Sequence, residues 1–82
     1  MAVDISRVEK AIHELLVAIG EDPNRDGLLN TPQRVAKMYQ EIVGGYDMDP
    51  YEILKVQFEE DHQEMVVMRD APFYSLCEHH LL

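Results

Sequence analysis

The fold is decided first by residues 4–20, whose sequence is DISRVEKAIHELLVAIG. Apolar residues recur along it at steps of three and four, which places them on one face of a helix; they are Ile5, Val8, Ile12, Leu15, Leu16 and Ile19. Asp4 can accept a hydrogen bond from a free backbone N–H at the start, and Gly20 can end the helix in a left-handed conformation. The stretch therefore predicts an amphipathic helix capped by Asp4.

Two further helix starts follow a loop that is rich in turn-forming residues. At the first, Thr31 suits the cap and Pro32 suits the first helical position, where no N–H is needed. The apolar stripe behind them comprises Val35, Met38, Tyr39, Ile42 and Val43, and Gly44-Gly45 ends it. At the second start Asp49 suits the cap, and Glu52 occupies the capping-box position. The four tyrosines, Tyr39, Tyr46, Tyr51 and Tyr74, are interpreted as packing residues.

The pattern changes after residue 58. Residues 59–64 form a polar run that predicts a solvated connection. Residues 65–68 (Met-Val-Val-Met) and 73–77 (Phe-Tyr-Ser-Leu-Cys) are apolar, with β-branched and aromatic side chains, and predict two short strands. Two strands alone leave open edges and are marginal in water. We therefore expect them to begin a larger sheet, and the sequence to be the N-terminal portion of a longer protein.

Composition narrows the class of protein. The chain has 82 residues, with 7 basic and 16 acidic side chains, so its formal net charge is 7 − 16 = −9. Such a charge disfavours nonspecific nucleic-acid binding, which requires clustered Lys and Arg. The longest apolar run, residues 15–19, is too short to span a membrane. A single cysteine rules out an intramolecular disulfide framework, so we expect a soluble, cytoplasmic protein without nucleic-acid or membrane partners.

The candidate chemistry lies in residues 77–80, Cys-Glu-His-His. Thiolate and imidazole are preferred zinc ligands, and the Cys-x-x-His spacing lets one turn deliver two of them to one ion. One histidine can bind the metal while its neighbour faces the substrate and moves a proton. Because a catalytic zinc usually takes three protein ligands, the third must come from His62, a carboxylate, another chain or sequence not present here. The alternative is a small buried cysteine beside two surface histidines.

Four segments carry a resemblance to a known family. They are residues 18–29 (AIGEDPNRDGLL), 31–39 (TPQRVAKMY), 45–46 (GY) and 73–81 (FYSLCEHHL). In this order and at these distances they make the chain resemble the N-terminal part of GTP cyclohydrolase I, from about Val8 onward. Either the first segments or the Cys-Glu-His-His segment alone would be a weaker signal.

The resemblance implies a role for each residue of the motif. Cys77 and His80 match two zinc ligands of the family, and His79 matches the histidine implicated in proton transfer. The third ligand, a cysteine, and the residues that hold guanine and triphosphate lie further along the family's sequence. The implied reaction is zinc-dependent hydrolytic ring opening of GTP, with release of formate, to give 7,8-dihydroneopterin triphosphate for tetrahydrofolate and pterin synthesis. The implied assembly is a homo-oligomer, a decamer with active sites between subunits.

The resemblance also implies the fold class. We expect an α+β protein of the tunnelling-fold type, in which amphipathic helices precede the first strands of an antiparallel sheet. Residues 1–48 would form the N-terminal helical region, and residues 49–82 the start of the catalytic α+β domain. Two alternatives remain open at this point: a non-catalytic assembly or binding module that associates with a full-length partner, and a small structural zinc module closed by another copy.

Overall fold

The computed structural model describes residues 2–57 and 63–82, and over these it contains three α-helices and one 3-10 turn. Helix α1 comprises Ile5–Ala18, α2 comprises Thr31–Ile42, and α3 comprises the single turn Pro50–Ile53. The 3-10 turn, Gly44–Asp47, follows α2. Helices α1 and α2 pack against each other, and this pair is the centre of the fold.

Helix α1 begins and ends as its sequence predicts. The carboxylate of Asp4 accepts a hydrogen bond from the backbone N–H of Arg7 at 3.2 Å. After Ala18 the chain leaves the helix through Gly20, whose φ of 90° lies in the left-handed region that glycine adopts without steric cost. The cap and the terminating glycine are therefore both confirmed.

The predicted cap of α2 is wrong by one residue. Thr31 is already helical, Asn30 occupies the cap position without a side-chain hydrogen bond, and Pro32 lies in the first turn. The physical reason is the preceding loop, in which the N–H groups of Leu28 and Leu29 both donate to the carbonyl of Arg25. Because of these helix-like turns, the Thr31 hydroxyl donates a hydrogen bond to the Gly27 carbonyl at 3.5 Å. It therefore does not cap the start of α2.

The predicted cap of the third helix is confirmed. The carboxylate of Asp49 accepts a hydrogen bond from the N–H of Tyr51 at 2.9 Å. Glu52 lies in the first turn and pairs with the Lys55 ammonium at 2.8 Å. Both are exposed, so the pair contributes little to stability.

The two predicted strands are not formed. Residues 65–68 and 73–77 carry no strand hydrogen bonds in the described part of the chain, and the sheet expected of an α+β fold is likewise not seen there. A strand is defined by its ladder to a neighbour, and two short segments gain too little from pairing in water to form one. Most of the predicted connection at 59–64 lies outside the described residues, and so does His62. The division at residue 48 stays a prediction.

The molecule is elongated and its buried core is small. Its radius of gyration is 19.2 Å, against roughly 12 Å for a compact domain of this length. Among the described residues the buried apolar side chains are Leu16 of α1 and Ala36 of α2. Apolar side chains of the last third are largely exposed, for example Met65 at 88% and Phe73 at 84%. The helical pair is therefore the only part of the described chain with an interior.

None of the described helices combines the length and apolar character that crossing a membrane requires.

Enlarging Ala36 should destabilise the helical pair. Its side chain is fully buried in α2, so Ala36→Leu forces extra methylene groups into filled space and should lower the free energy of unfolding by about 1–3 kcal/mol. Lys37→Leu is the matched control, because Lys37 is the exposed neighbour on the same helix. Urea unfolding followed by circular dichroism measures both; equal losses in the two variants would contradict this packing.

Candidate metal centre

The Cys-Glu-His-His segment forms a closed turn at the far end of the described chain. The N–H of Leu81 donates to the carbonyl of Cys77 at 2.8 Å, and the N–H of Cys77 donates to the carbonyl of Leu82 at 3.2 Å. Leu81 has a φ of 61°, in the left-handed region. Because both bonds return to Cys77, Glu78, His79 and His80 are held within one short loop.

The turn brings the cysteine and both histidines to its surface. The Sγ atom of Cys77 lies 3.6 Å from Nδ1 of His79. The rings of His79 and His80 have centroids 6.4 Å apart and are tilted by 48°. Cys77 is a free thiol and is exposed, as are both histidines. Within the described part of the chain Cys77 is therefore not a buried apolar side chain.

These donors fit a zinc ion in kind. Zinc binds thiolate sulfur at about 2.3 Å and imidazole nitrogen at about 2.0–2.1 Å in tetrahedral geometry, so two such ligands are about 3.5–3.6 Å apart. The 3.6 Å between Sγ of Cys77 and Nδ1 of His79 is close to that value, but it is also a hydrogen-bond distance, and His79 is the histidine expected to move a proton rather than to bind the metal. The turn thus holds one thiol and two imidazoles, which are donors that zinc prefers, within one loop.

A complete ligand set is not assembled within the described residues. No three His, Cys, Asp or Glu side chains there are grouped closely enough to hold a metal ion. His13 lies on α1 beside an open groove that also includes Glu9, Glu14 and Leu29, away from the turn. His62, one of the candidate third ligands, lies outside the described residues. A metal ion bound at the turn would therefore require a further ligand from outside it.

The turn lies against the C-terminal half of α2. The Tyr39 hydroxyl donates a hydrogen bond to the Leu81 carbonyl at 2.5 Å. Just before the motif, Ser75 and Leu76 line a cavity of about 200 Å³ together with residues of and after α2, which are Ile42, Val43, Gly45 and Tyr46. Tyr39 was expected only to pack, because nothing in its local sequence indicates a partner 42 residues away.

Comparison with known proteins places this turn in a family. The family model of GTP cyclohydrolase I matches residues 8–82, which include most of α1, all of α2 and the whole turn. The chain belongs to the GTP cyclohydrolase I family. The resemblance carried by the sequence segments is thereby confirmed.

Curated relatives named GTP cyclohydrolase 1 agree with this assignment. The chain is 53% identical to the protein of Streptococcus mutans over 79 aligned residues. The aligned region covers 96% of this chain and 41% of that relative. Identity to the protein of Mycolicibacterium vanbaalenii is 57% over 79 residues, covering 96% of this chain and 39% of that relative. For the Acetivibrio thermocellus protein the identity is 55% over 80 residues, with 98% and 43% covered. The chain spans about two fifths of the length of these relatives.

Proposed function

We propose that this chain acts as the N-terminal part of a longer, zinc-dependent GTP cyclohydrolase I. The reaction is hydrolytic opening of the guanine imidazole ring of GTP, with release of formate, to give 7,8-dihydroneopterin triphosphate for tetrahydrofolate synthesis and one-carbon metabolism. The observation that carries the proposal is the family match over residues 8–82, combined with the exposed thiol and imidazole donors that the turn gathers inside that match.

Cys77 and His80 would hold the zinc ion, as their positions in the family's motif indicate. When bound, zinc supplies a Lewis acid that makes water a nucleophile near neutral pH. His79 would deliver a proton to the ring nitrogen that departs as the C–N bond breaks, because imidazole exchanges protons near neutral pH. The Leu81 N–H donates to the Cys77 carbonyl and the Cys77 N–H donates to the Leu82 carbonyl, and these bonds keep the three side chains in one loop.

Substrate binding would depend on residues beyond this chain. The seven basic residues are spread along the sequence, and no stretch of it concentrates the positive charge that would hold a triphosphate. We assign the third zinc ligand and the guanine and triphosphate contacts to the rest of the enzyme. The functional unit would be a cytoplasmic homo-oligomer, a decamer by resemblance, with the single cysteine reserved for metal rather than for a disulfide.

The sheet would form when the remaining strands are present. Residues 65–68 are 64–88% exposed, and Phe73 and Tyr74 are each 84% exposed. Exposed apolar segments with strand-forming side chains are suited to pairing with neighbouring strands. In the complete tunnelling fold we expect both segments to be buried strands of an antiparallel sheet.

The second candidate function is a non-catalytic assembly module. It is favoured by the same exposed apolar segments, which could associate with a full-length partner. The reading frame beyond Leu82 distinguishes the two candidates. The enzyme requires that it continue into a later cysteine preceded two residues earlier by histidine, whereas a stop codon there would contradict catalysis by this polypeptide. We call residues 1–82 joined to that continuation the extended protein.

The 82-residue chain alone should release no formate from GTP. The family's motif places two zinc ligands in it, whereas a catalytic zinc usually takes three, and its described residues hold no complete metal site. Incubation with zinc and GTP labelled at C8, followed by assay of labelled formate, measures this, with the extended protein as the positive control. Turnover by the short chain would show that the assignment of the missing contacts is wrong.

A further inference from the structure

The hydroxyl of Tyr39 joins α2 to the turn that carries the zinc ligands. It donates to the Leu81 carbonyl at 2.5 Å, and Leu81 is the residue directly after His80. Tyr39 is itself half-buried in the last turns of α2. The bond therefore couples the packed helical pair to the backbone next to a proposed ligand.

The residue that accepts this bond has a strained backbone. Leu81 has a φ of 61°, and for a residue with a Cβ the left-handed conformation costs about 1–2 kcal/mol. Such conformations persist only where several contacts hold them. Here the N–H of Leu81 is bonded to the Cys77 carbonyl and its own carbonyl to Tyr39. Both polar groups of Leu81 are thus fixed, one by the turn and one by α2.

Helix α2 also contacts the chain just before the motif. Leu76 is half-buried, in contrast to its exposed neighbours. It lines the cavity of about 200 Å³ that Ile42 and Val43 border from the end of α2. The segments on both sides of Cys-Glu-His-His therefore lie against the same helix end, which fixes the direction in which the turn faces.

We propose that Tyr39 is a positioning residue for the zinc ligands. Its hydroxyl holds the Leu81 carbonyl, which keeps the turn closed and presents Cys77 and His80 to the metal in one arrangement. A preformed arrangement lowers the ordering cost of binding, and groups that orient ligands from behind affect metal affinity without touching the ion. This role rests on the proposed zinc-dependent function.

Tyr39→Phe tests the role because it removes the hydroxyl and keeps the ring. In the extended protein we expect zinc affinity, measured by competition with a chelator, to fall about 3- to 10-fold, the effect of losing one net hydrogen bond. The visible spectrum of the cobalt-substituted protein should change, because it reports ligand geometry. The KM for GTP should not change, and saturating zinc should restore kcat. The amide of Leu81 should exchange its hydrogen faster.

Tyr51→Phe is the matched control, because Tyr51 lies on α3 and is 78% exposed. Removing its hydroxyl should change none of these readouts. A purely structural role for Tyr39 would lower thermal stability and leave zinc affinity and the cobalt spectrum as in the control, and that result would overturn the proposal. If the unsubstituted extended protein binds no zinc, the proposed function falls together with this role. If the unsubstituted protein, Tyr39→Phe and Tyr51→Phe bind zinc with equal affinity, only the role of Tyr39 is overturned and the proposed function stands.

Discussion

Cys77→Ala in the extended protein should abolish stoichiometric zinc binding and, with it, formate release from GTP. Cys77 is the only cysteine of the chain, so it is the only thiolate ligand available. Its side chain is exposed, and its backbone N–H and carbonyl make the two hydrogen bonds that close the turn. Removing a residue that only orients a metal ligand already lowers metal affinity or activity by about 10- to 100-fold. Loss of a ligand itself should therefore lower zinc affinity by more than about 100-fold.

The matched variant is Cys77→Ser, which keeps a small polar side chain in the same place. Serine lacks the soft thiolate that favours zinc, so it should lose metal as alanine does. Both variants should retain the helical circular dichroism of the parent, because Cys77 is exposed and lies outside the helices. Zinc content by mass spectrometry and labelled formate by assay provide the measurement. Full zinc content and full turnover in either variant would require the motif assignment to be abandoned.

His79→Ala should separate metal binding from chemistry. We expect it to retain zinc and to lower kcat by about 10²- to 10⁴-fold, the usual effect of removing a general acid or base. His80→Ala should instead lose zinc together with activity. The matched control is His13→Ala, because His13 is an exposed histidine of α1 and lies away from the turn. It should leave both zinc content and turnover unchanged.

The geometry makes the comparison of the two histidines decisive. The sulfur of Cys77 lies 3.6 Å from Nδ1 of His79, a separation that a shared zinc ion would also accept. Zinc loss in His79→Ala with retention in His80→Ala would therefore exchange the two roles. Zinc loss in both variants would make both side chains ligands and leave the proton transfer to another residue. Only one result supports the assignment, namely zinc lost in His80→Ala and retained in His79→Ala.

The helices could be predicted because their signals are local. Apolar spacing defines α1, and Asp4 and Gly20 define its ends within a few residues of the helix itself. The start of α2 was displaced to Asn30 because loop turns at Leu28 and Leu29 changed the hydrogen bond that Thr31 makes. Strands differ in principle, since residues 65–68 and 73–77 require partners that their own side chains do not provide.

The sequence indicates the candidate site residues but not the contacts that hold them. The residue types and spacing of Cys77, His79 and His80 predict zinc binding, which stays a prediction, and the structure holds the three residues in one turn. The contact from Tyr39 to Leu81 spans 42 residues and depends on how α2 meets the turn. No local pattern encodes such a contact, so the sequence predicts only a packing role for Tyr39.

The central claim is that this chain supplies part of a zinc site that opens the guanine ring of GTP. The most direct measurement is formate release from C8-labelled GTP by the extended protein as isolated, after removal of zinc by a chelator, and after zinc is restored. We predict one formate for each GTP consumed by the zinc-loaded protein, none after chelation, and recovery when zinc returns. Formate release that continues unchanged in the zinc-free protein, or no release from the zinc-loaded protein, would contradict the account.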